Sequence, residues 1–312
     1  MPAHVSVALP VYRGARYLEA SLRSVFAQSF RNFDVTVVDD GSTDDSVAIA
    51  ERVARDYGAG IPFRIVRNTT RLGLVGNWNR CLDFCTGDYS LLFHQDDLLD
   101  VDMLQRSVEA FEAYPKAGYV YSAYRCMDEE NRDLPPWATS PFGGVSGGIP
   151  FIQALLHENF ICCPAVVVPR AVYEHVGRYD RRFAFSPDLE MWFRIASRYE
   201  VVCRPEIGVR YRLHTSQATE AFRHTRKVRA ELEYNCAALM GLRSQRKVYP
   251  ELWQALVRAN LWMLRRYLWD SPADTLWATR ILSRCSIDVA AALRDSVLER
   301  TGLRRTARGR AA

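Results

Sequence analysis

From residue 4 to residue 9 the chain is strand-like, Val5, Val7, Ala8 and Leu9 with only Ser6 among them, and over residues 16–28 the rhythm changes, with Leu18, Leu22, Val25 and Phe26 recurring at helical spacing. A mostly apolar short run suits a strand covered by helices, whereas the second pattern suits a helix with one buried stripe. The alternation then repeats. Residues 35–38 predict a second strand and 46–57 a second helix; 63–66 predict a third strand, 78–85 part of a third helix, and 89–93 a fourth strand. This order predicts an α/β fold with a mostly parallel sheet flanked by helices. Right-handed crossovers line the strand ends along one edge, so polar clusters distant in sequence meet there.

The regular pattern breaks at residues 131–150, where Pro135, Pro136, Pro141, Gly143, Gly144, Gly147 and Gly148 crowd together. Two readings are open, a surface connector and a lid over a site. Residues 165–168 then predict a strand and 189–199 a helix. From about residue 220 the spacing is helical, carrying Trp253, Trp262, Trp269 and Trp277 and punctuated by Pro250 and Pro272. The end, with Arg304, Arg305, Arg308 and Arg310, is expected to fray. The expected division is a sheet domain over 1–220 and a helical region over 221–312.

Charge sharpens that division. The net charge is +5 over 312 residues, yet residues 221–312 hold 18 Lys and Arg against 8 Asp and Glu. The basic helices either meet an anionic partner, such as a membrane surface or a phosphate-bearing substrate, or present an ordinary solvated face. A composition that is 48% hydrophobic and 25% charged excludes wholesale disorder. The eight cysteines form no Cys-x-x-Cys pair, which argues against a zinc site or redox dithiol. The opening segment lacks the basic and apolar regions of a signal peptide, and no apolar run reaches bilayer length. The expectation is a cytoplasmic protein with free thiols.

Chemistry-bearing residues gather at the predicted strand ends. They are Pro10, Val11 and Tyr12 after the first strand, Asp39 and Asp40 after the second, Asn68 to Asn77 with Arg71, Gly73 and Gly76 after the third, and His94, Gln95, Asp96 and Asp97 after the fourth. Ser42, Asp44 and Asp45 are candidate caps for the second helix, and Asn77 for the third. Together with a later PDLEMWFRIA and YRLH, these clusters make residues 4–215 resemble family 2 glycosyltransferases of the GT-A fold, which use nucleotide-activated sugars.

The resemblance implies roles. Pro10, Val11 and Tyr12 line a base pocket, Asp39 or Asp40 accepts the imide N–H of uracil or thymine, and Arg71 approaches the base or the diphosphate. Asn77, His94 and Gln95 complete the expected nucleotide-sugar contacts. Asp96, Asp97 and His214 are the expected metal side, holding Mn²⁺ or Mg²⁺ against the diphosphate. The family's Asp-x-Asp element here reads His94-Gln95-Asp96, so an imidazole replaces the first carboxylate. Asp188 is the expected general base, with Glu190 in reserve. Asp188 follows Pro187 where relatives carry Glu, and loss of that like charge is expected to lower its pKa. Helix capping is the competing reading for Asp96, Asp97 and Asp188, and a buried, hydrogen-bonded ring is that for His94.

The Gln-x-x-Arg-Trp element of processive members is absent, which argues for single-sugar transfer. The expected activity is inverting transfer from a UDP- or dTDP-sugar to a saccharide or lipid-linked saccharide in bacterial surface glycan assembly. The C-terminal helices are expected to hold the acceptor, to dock peripherally on the inner membrane face, or to pack against the sheet domain or a second subunit as a homodimer. No nucleic-acid partner is expected. A second reading is a non-catalytic nucleotide-sugar-binding or assembly subunit, motivated by His94 and Pro187. A third is a nucleotidyltransferase, for which Arg13-Gly14-Ala15-Arg16 is a poor triphosphate loop.

Overall fold

The computed structural model describes residues 2–215, 217, 227–267, 271–285 and 287. The basic tail and Trp269 lie outside the described residues. The chain divides into two compact units, Met1–Glu220 and Ala221–Ala312.

The first unit opens with β1 (Val5–Val11), α1 (Leu18–Phe26), β2 (Phe33–Asp39), α2 (Ser46–Tyr57), β3 (Phe63–Arg67), α3 (Leu74–Leu82) and β4 (Tyr89–Leu92). It continues through β5 (Leu98–Leu99), α4 (Met103–Ala113), β6 (Ala117–Met127), β7 (Asp133–Leu134) and β8 (Gly144–Ser146). It closes with α5 (Gly148–His157), β9 (Val166–Pro169), α6 (Arg170–Val176), α7 (Pro187–Ala196) and β10 (Glu200–Arg212). The second unit holds α8 (Lys227–Leu242), α9 (Pro250–Tyr267) and α10 (Pro272–Arg284).

The strands form one sheet in the order β3-β2-β1-β4-β9-β6-β10-β5, with β7 beside β6 and β8 beside β10. β1 pairs in parallel with both β2 and β4, so the chain winds outward to β3 and returns to the other side of β1. That reversal opens a crevice at the carboxyl ends of β1 and β4, where open α/β sheets bind ligands. Val5, Val7, Leu9 and Val11 of β1 are buried, as are Leu18, Leu22, Val25 and Phe26 of α1, the stripe its spacing predicted.

Several elements differ from expectation. The third helix starts at Leu74, earlier than expected, because Gly73 takes φ +74° and turns the chain into it. Asn77 therefore lies inside the helix rather than opening it. β9 runs antiparallel to β4 and β6, an orientation no local pattern encodes. The break at 131–150 is partly ordered, contributing β7 and β8 as edge strands. At α2, Asp44 does the side-chain bonding expected of a cap, its Oδ1 accepting the Ser46 N–H at 3.3 Å and hydroxyl at 2.6 Å.

Candidate active site

The site is assembled at the crevice by a clasp. The Tyr12 N–H donates to Gln95 Oε1 at 2.9 Å, and Gln95 Nε2 donates back to the Tyr12 carbonyl at 3.2 Å. Gly14 is required beneath it, since a Cβ there would lie 2.4 Å from Gln95 Oε1. Gln95, expected to touch the nucleotide sugar, thus spends its amide joining the ends of β1 and β4. The turn after Tyr12 docks on the turn after β2: Arg13 N–H donates to Ser42 Oγ (2.9 Å) and Gly14 N–H to Ser46 Oγ (2.8 Å).

The paired carboxylates have different jobs. Asp40 is buried, accepting the Leu72 N–H at 2.7 Å, the Gly73 N–H at 2.8 Å and Asn68 Nδ2 at 2.9 Å. Those bonds hold the 68–73 loop in shape and engage both carboxylate oxygens. Asn77 is also buried; its Nδ2 donates to the Val38 carbonyl and its Oδ1 accepts from Asn68, both at 2.9 Å. It braces α3 against β2, which corrects the expectation of a direct nucleotide contact.

Asp39 accepts the Ser42 N–H at 3.1 Å and Arg67 Nε at 3.0 Å, with Arg67 Nη2 on the Ser42 carbonyl at 2.8 Å. Arg67 lies outside the expected clusters, although its place at the end of a strand was a usable signal. Arg71 stacks on Tyr12, its guanidinium carbon 3.9 Å from the ring centroid. Arg71 and Tyr12 thus form a flat cationic-aromatic step at the end of β1.

Asp96 and His214 come together from positions 118 residues apart, with His214 Nε2 2.9 Å from Asp96 Oδ2. Asp97 lies behind them, fully buried, accepting the Arg212 N–H at 2.8 Å. It leads into β5, so a helix-cap role is excluded by the geometry. Burial, followed by the Asp96 charge, drives the Asp97 carboxyl well above the usual range. Arg212 is itself buried, donates through Nε to the Asp96 carbonyl at 2.8 Å, and packs on the Tyr17 ring at 4.5 Å.

His94 is turned inward. Its ring stacks on Trp78 at 5.4 Å, and its Nδ1 lies 3.6 Å from Asp97 Oδ2. Burial holds the imidazole neutral by lowering its pKa. This corrects the expected ribose or diphosphate contact. His94 Nε2 and Asp97 Oδ2 are buried without a hydrogen-bond partner. Ligand atoms of His94, Asp96 and Asp97 lie within 4.8 Å of one another. Two orphaned buried atoms in a mixed imidazole and carboxylate set fit a divalent cation such as Mn²⁺, with Asp96 common to this group and to the His214 pair.

Asp188 sits in the first turn of α7 after Ser186. Burial pushes its carboxyl up to about 6, against the smaller opposing effect of the Leu189 backbone N–H. The expected decrease is overturned: losing one like charge matters less than losing water. Glu190, the reserve base, is buried in a salt bridge to Arg194, with Arg194 Nε on its Oε1 at 3.0 Å. That pairing occupies it structurally and withdraws it as a candidate. All eight cysteines are free and buried.

The open α/β sheet and the carboxylates along its crevice are those of the GT-A class of glycosyltransferase. The chain matches glycosyl transferase family 2 over residues 6–177, more than half its length, and belongs to that family. The amylovoran biosynthesis glycosyltransferase AmsB of Erwinia amylovora is 35% identical over 193 residues, covering 61% of this chain and 62% of AmsB. The match spans 35% of the length of an uncharacterized glycosyltransferase of Rickettsia conorii and 65% of one from Rickettsia prowazekii. Among solved structures, S. aureus TarS in complex with UDP superposes with a TM-score of 0.61 at 14% identity, covering 85% of this chain and 71% of that one. Mannosyltransferase PcManGT of Pyrobaculum calidifontis, in complex with GDP-Man and Mn²⁺, gives 0.60 at 18% identity, covering 95% and 80%. These two likenesses establish the fold.

Proposed function

We propose that this chain transfers a single sugar from a UDP- or dTDP-sugar to a hydroxyl group of a saccharide acceptor, inverting the anomeric configuration. The observation that carries the reading is the crevice beyond the ends of β1 and β4, where Asp96 and His214 meet 2.9 Å apart; Asp188, whose carboxyl burial pushes up to about 6, suits proton transfer near neutrality. Ionised Asp188 takes the acceptor proton as the hydroxyl oxygen bonds to the anomeric carbon. The bond from that carbon to the diphosphate breaks, and its electron pair leaves with the nucleotide. Attack from the face opposite the leaving group inverts the centre.

The base stacks on Tyr12 after Arg71 moves off the ring, with Pro10 and Val11 at the pocket's inner edge. Asp39 accepts the imide N–H, and Arg67 beside it supplies donors for the flanking carbonyls. Asp40, Asn77 and Gln95 hold the surrounding loops. Asp96 and His214 would hold a divalent cation, with the unpartnered His94 Nε2 and Asp97 Oδ2 as further ligand atoms. The cation, when bound, neutralises the charge that grows on the departing diphosphate. TarS binds UDP and UDP-GlcNAc and PcManGT binds GDP-Man, which supports a nucleotide-sugar donor here. AmsB's part in amylovoran biosynthesis supports a product in bacterial surface glycan assembly.

The test is hydrolysis and transfer with a panel of UDP-, dTDP- and GDP-sugars, with Mn²⁺, Mg²⁺ or EDTA. Metal-dependent release of one diphosphate, lost in Asp96→Ala, is the expected result. Donor binding without turnover under any condition would favour the binding-subunit reading, and no binding would remove both.

The second unit supports peripheral docking at the inner membrane face. Along α9, Arg258, Trp262 and Arg266 fall on one stripe, all exposed, with Arg266 5.4 Å from the Trp262 ring centroid. Indole between guanidinium groups suits the boundary of an anionic bilayer. No helix among the described residues is long and apolar enough to cross a membrane. Binding to anionic vesicles that falls with salt is expected; a concentration-dependent dimer without vesicle binding would assign the stripe to self-association.

A further inference from the structure

Trp137 stands out in the segment between β7 and β8. The residue is 45% exposed, yet its ring is pinned on three sides. Its Nε1 donates to the Asn159 carbonyl at 3.0 Å, its ring centroid lies 4.2 Å from that of Tyr124, and Tyr211 meets it edge-on at 5.0 Å and 76°. The next residue is fastened as well, the Tyr124 hydroxyl donating to the Ala138 carbonyl at 2.9 Å and accepting its N–H at 3.0 Å. Nearly half of the largest apolar side chain is therefore left in water while its orientation is fixed. Burial alone gives no reason for that arrangement, because a rotated or smaller side chain would cover Tyr124 with less apolar exposure.

Its attachments place it on the rim of the site. Tyr211 is next to Arg212, which holds Asp97, and shares the β10 end with His214. Asn159 begins the short stretch leading to Cys162 and Cys163. Those thiols are pushed up by burial and further by the carboxylates of Asp97 and Asp188, so the stretch runs beside both groups. Trp137 is thus tied to the strand that leads into His214 and to the stretch flanking the candidate base. A pyranose ring carries polarised C–H groups on one face, and these complement the negative face of an indole. Guanidinium ligands would need a facing carboxylate as well, whereas a sugar ring needs only the flat surface and polar neighbours at its edge.

We propose that Trp137 is the stacking platform of an acceptor-saccharide subsite, holding a sugar ring of the acceptor beside the hydroxyl that Asp188 deprotonates; this rests on the glycosyl-transfer reading above. Trp137 touches the acceptor and sets its affinity, and takes no part in donor activation.

The test uses the full chain labelled with fluorotryptophan, the Trp137 resonance being identified among the seven tryptophans by its loss in Trp137→Phe. Methyl glycosides of glucose, galactose, mannose and N-acetylglucosamine, and their β-linked disaccharides, are titrated in. The expected result is a saturable shift of the Trp137 signal with at least one probe. With that saccharide as acceptor, Trp137→Ala should raise KM about three- to tenfold while leaving kcat and donor hydrolysis unchanged. Trp137→Phe should recover most of the loss and Trp137→Leu should not. An unmoved Trp137 signal across the panel, in protein that hydrolyses donor, overturns the subsite. So does a leucine variant equal to phenylalanine, which would mark simple packing. Absence of donor turnover from the unaltered chain overturns the transfer reading instead, and the titration still judges the subsite on its own.

Discussion

Replacing Asp188 with Asn tests catalysis and electrostatics in one variant. The carboxyl pKa moves from its ordinary 3.8 to about 6 on folding because burial penalises the ionised form. The folded chain therefore binds a proton more tightly than the unfolded chain. Stability contributed by this proton is fully present below pH 3.8 and is lost as pH rises through about 6. A displacement of about two pH units corresponds to about 3 kcal/mol, an upper bound because the side chain retains some contact with water. Asparagine preserves the shape and still accepts the Leu189 N–H, but has no charge to desolvate. Asp188→Asn should thus be more stable than the parent at pH 8, by up to about 3 kcal/mol, with most of that difference gone at pH 4. Urea midpoints of both proteins at the two pH values measure it. Transfer should fall by about 10²–10⁴, the range for loss of a general base, while donor affinity is kept. In the parent, transfer should halve near pH 6 and keep falling below it. Equal stability of the two proteins at pH 8, or a difference that does not change with pH, would refute the burial argument. Retained transfer would refute the assignment of the base.

Further outcomes follow from the same geometry. Asp40→Ala removes the acceptor for the 68–73 loop, and should lower stability by about 2–4 kcal/mol by denaturant titration and weaken donor binding. Gly14→Ala, which drives a Cβ into Gln95, should weaken donor binding in calorimetry without touching Asp188; unchanged affinity would show the clasp to be dispensable. His214→Ala should reduce Mn²⁺ affinity by about 10–100-fold by titration calorimetry, with the fold retained by circular dichroism. Trp262→Ala with Arg258→Glu should abolish sedimentation with anionic vesicles while donor hydrolysis persists, and continued sedimentation would move the docking surface elsewhere.

The first four strands and the apolar stripes of the early helices were legible because their period is set by short-range geometry. A buried parallel strand needs a run of Val and Leu, and a packed helix needs Leu18, Leu22, Val25 and Phe26 on one side. Local composition likewise marked Asp39, Asp40, Asp96, Asp97 and Asp188 as chemistry waiting at strand and helix ends. Other features were silent. Nothing near residues 166–169 says that β9 runs antiparallel, since strand direction depends on how the intervening segment returns. Residues 103–113, by contrast, form a helix whose stripe of Leu104, Val108 and Phe111 was legible at helical spacing and went unread.

Within the site, sequence determined which residue types were present, and tertiary structure decided which way each one faced. Adjacent Asp39 and Asp40 point to different neighbours because successive residues at a strand end alternate, so one meets Arg67 and the other the amides of Leu72 and Gly73. His94 reads either as a ligand contact or as a buried ring, and only the packing of Trp78 and Asp97 around it decides. Asp188 lost a charged neighbour in the sequence, yet its proton affinity rose, because solvation depends on every atom packed around a group and not on its immediate neighbours in the chain. Partnerships across long separations, Asp96 with His214 and Trp137 with Tyr124 and Tyr211, are properties of the folded sheet, which alone brings those strand ends to one edge.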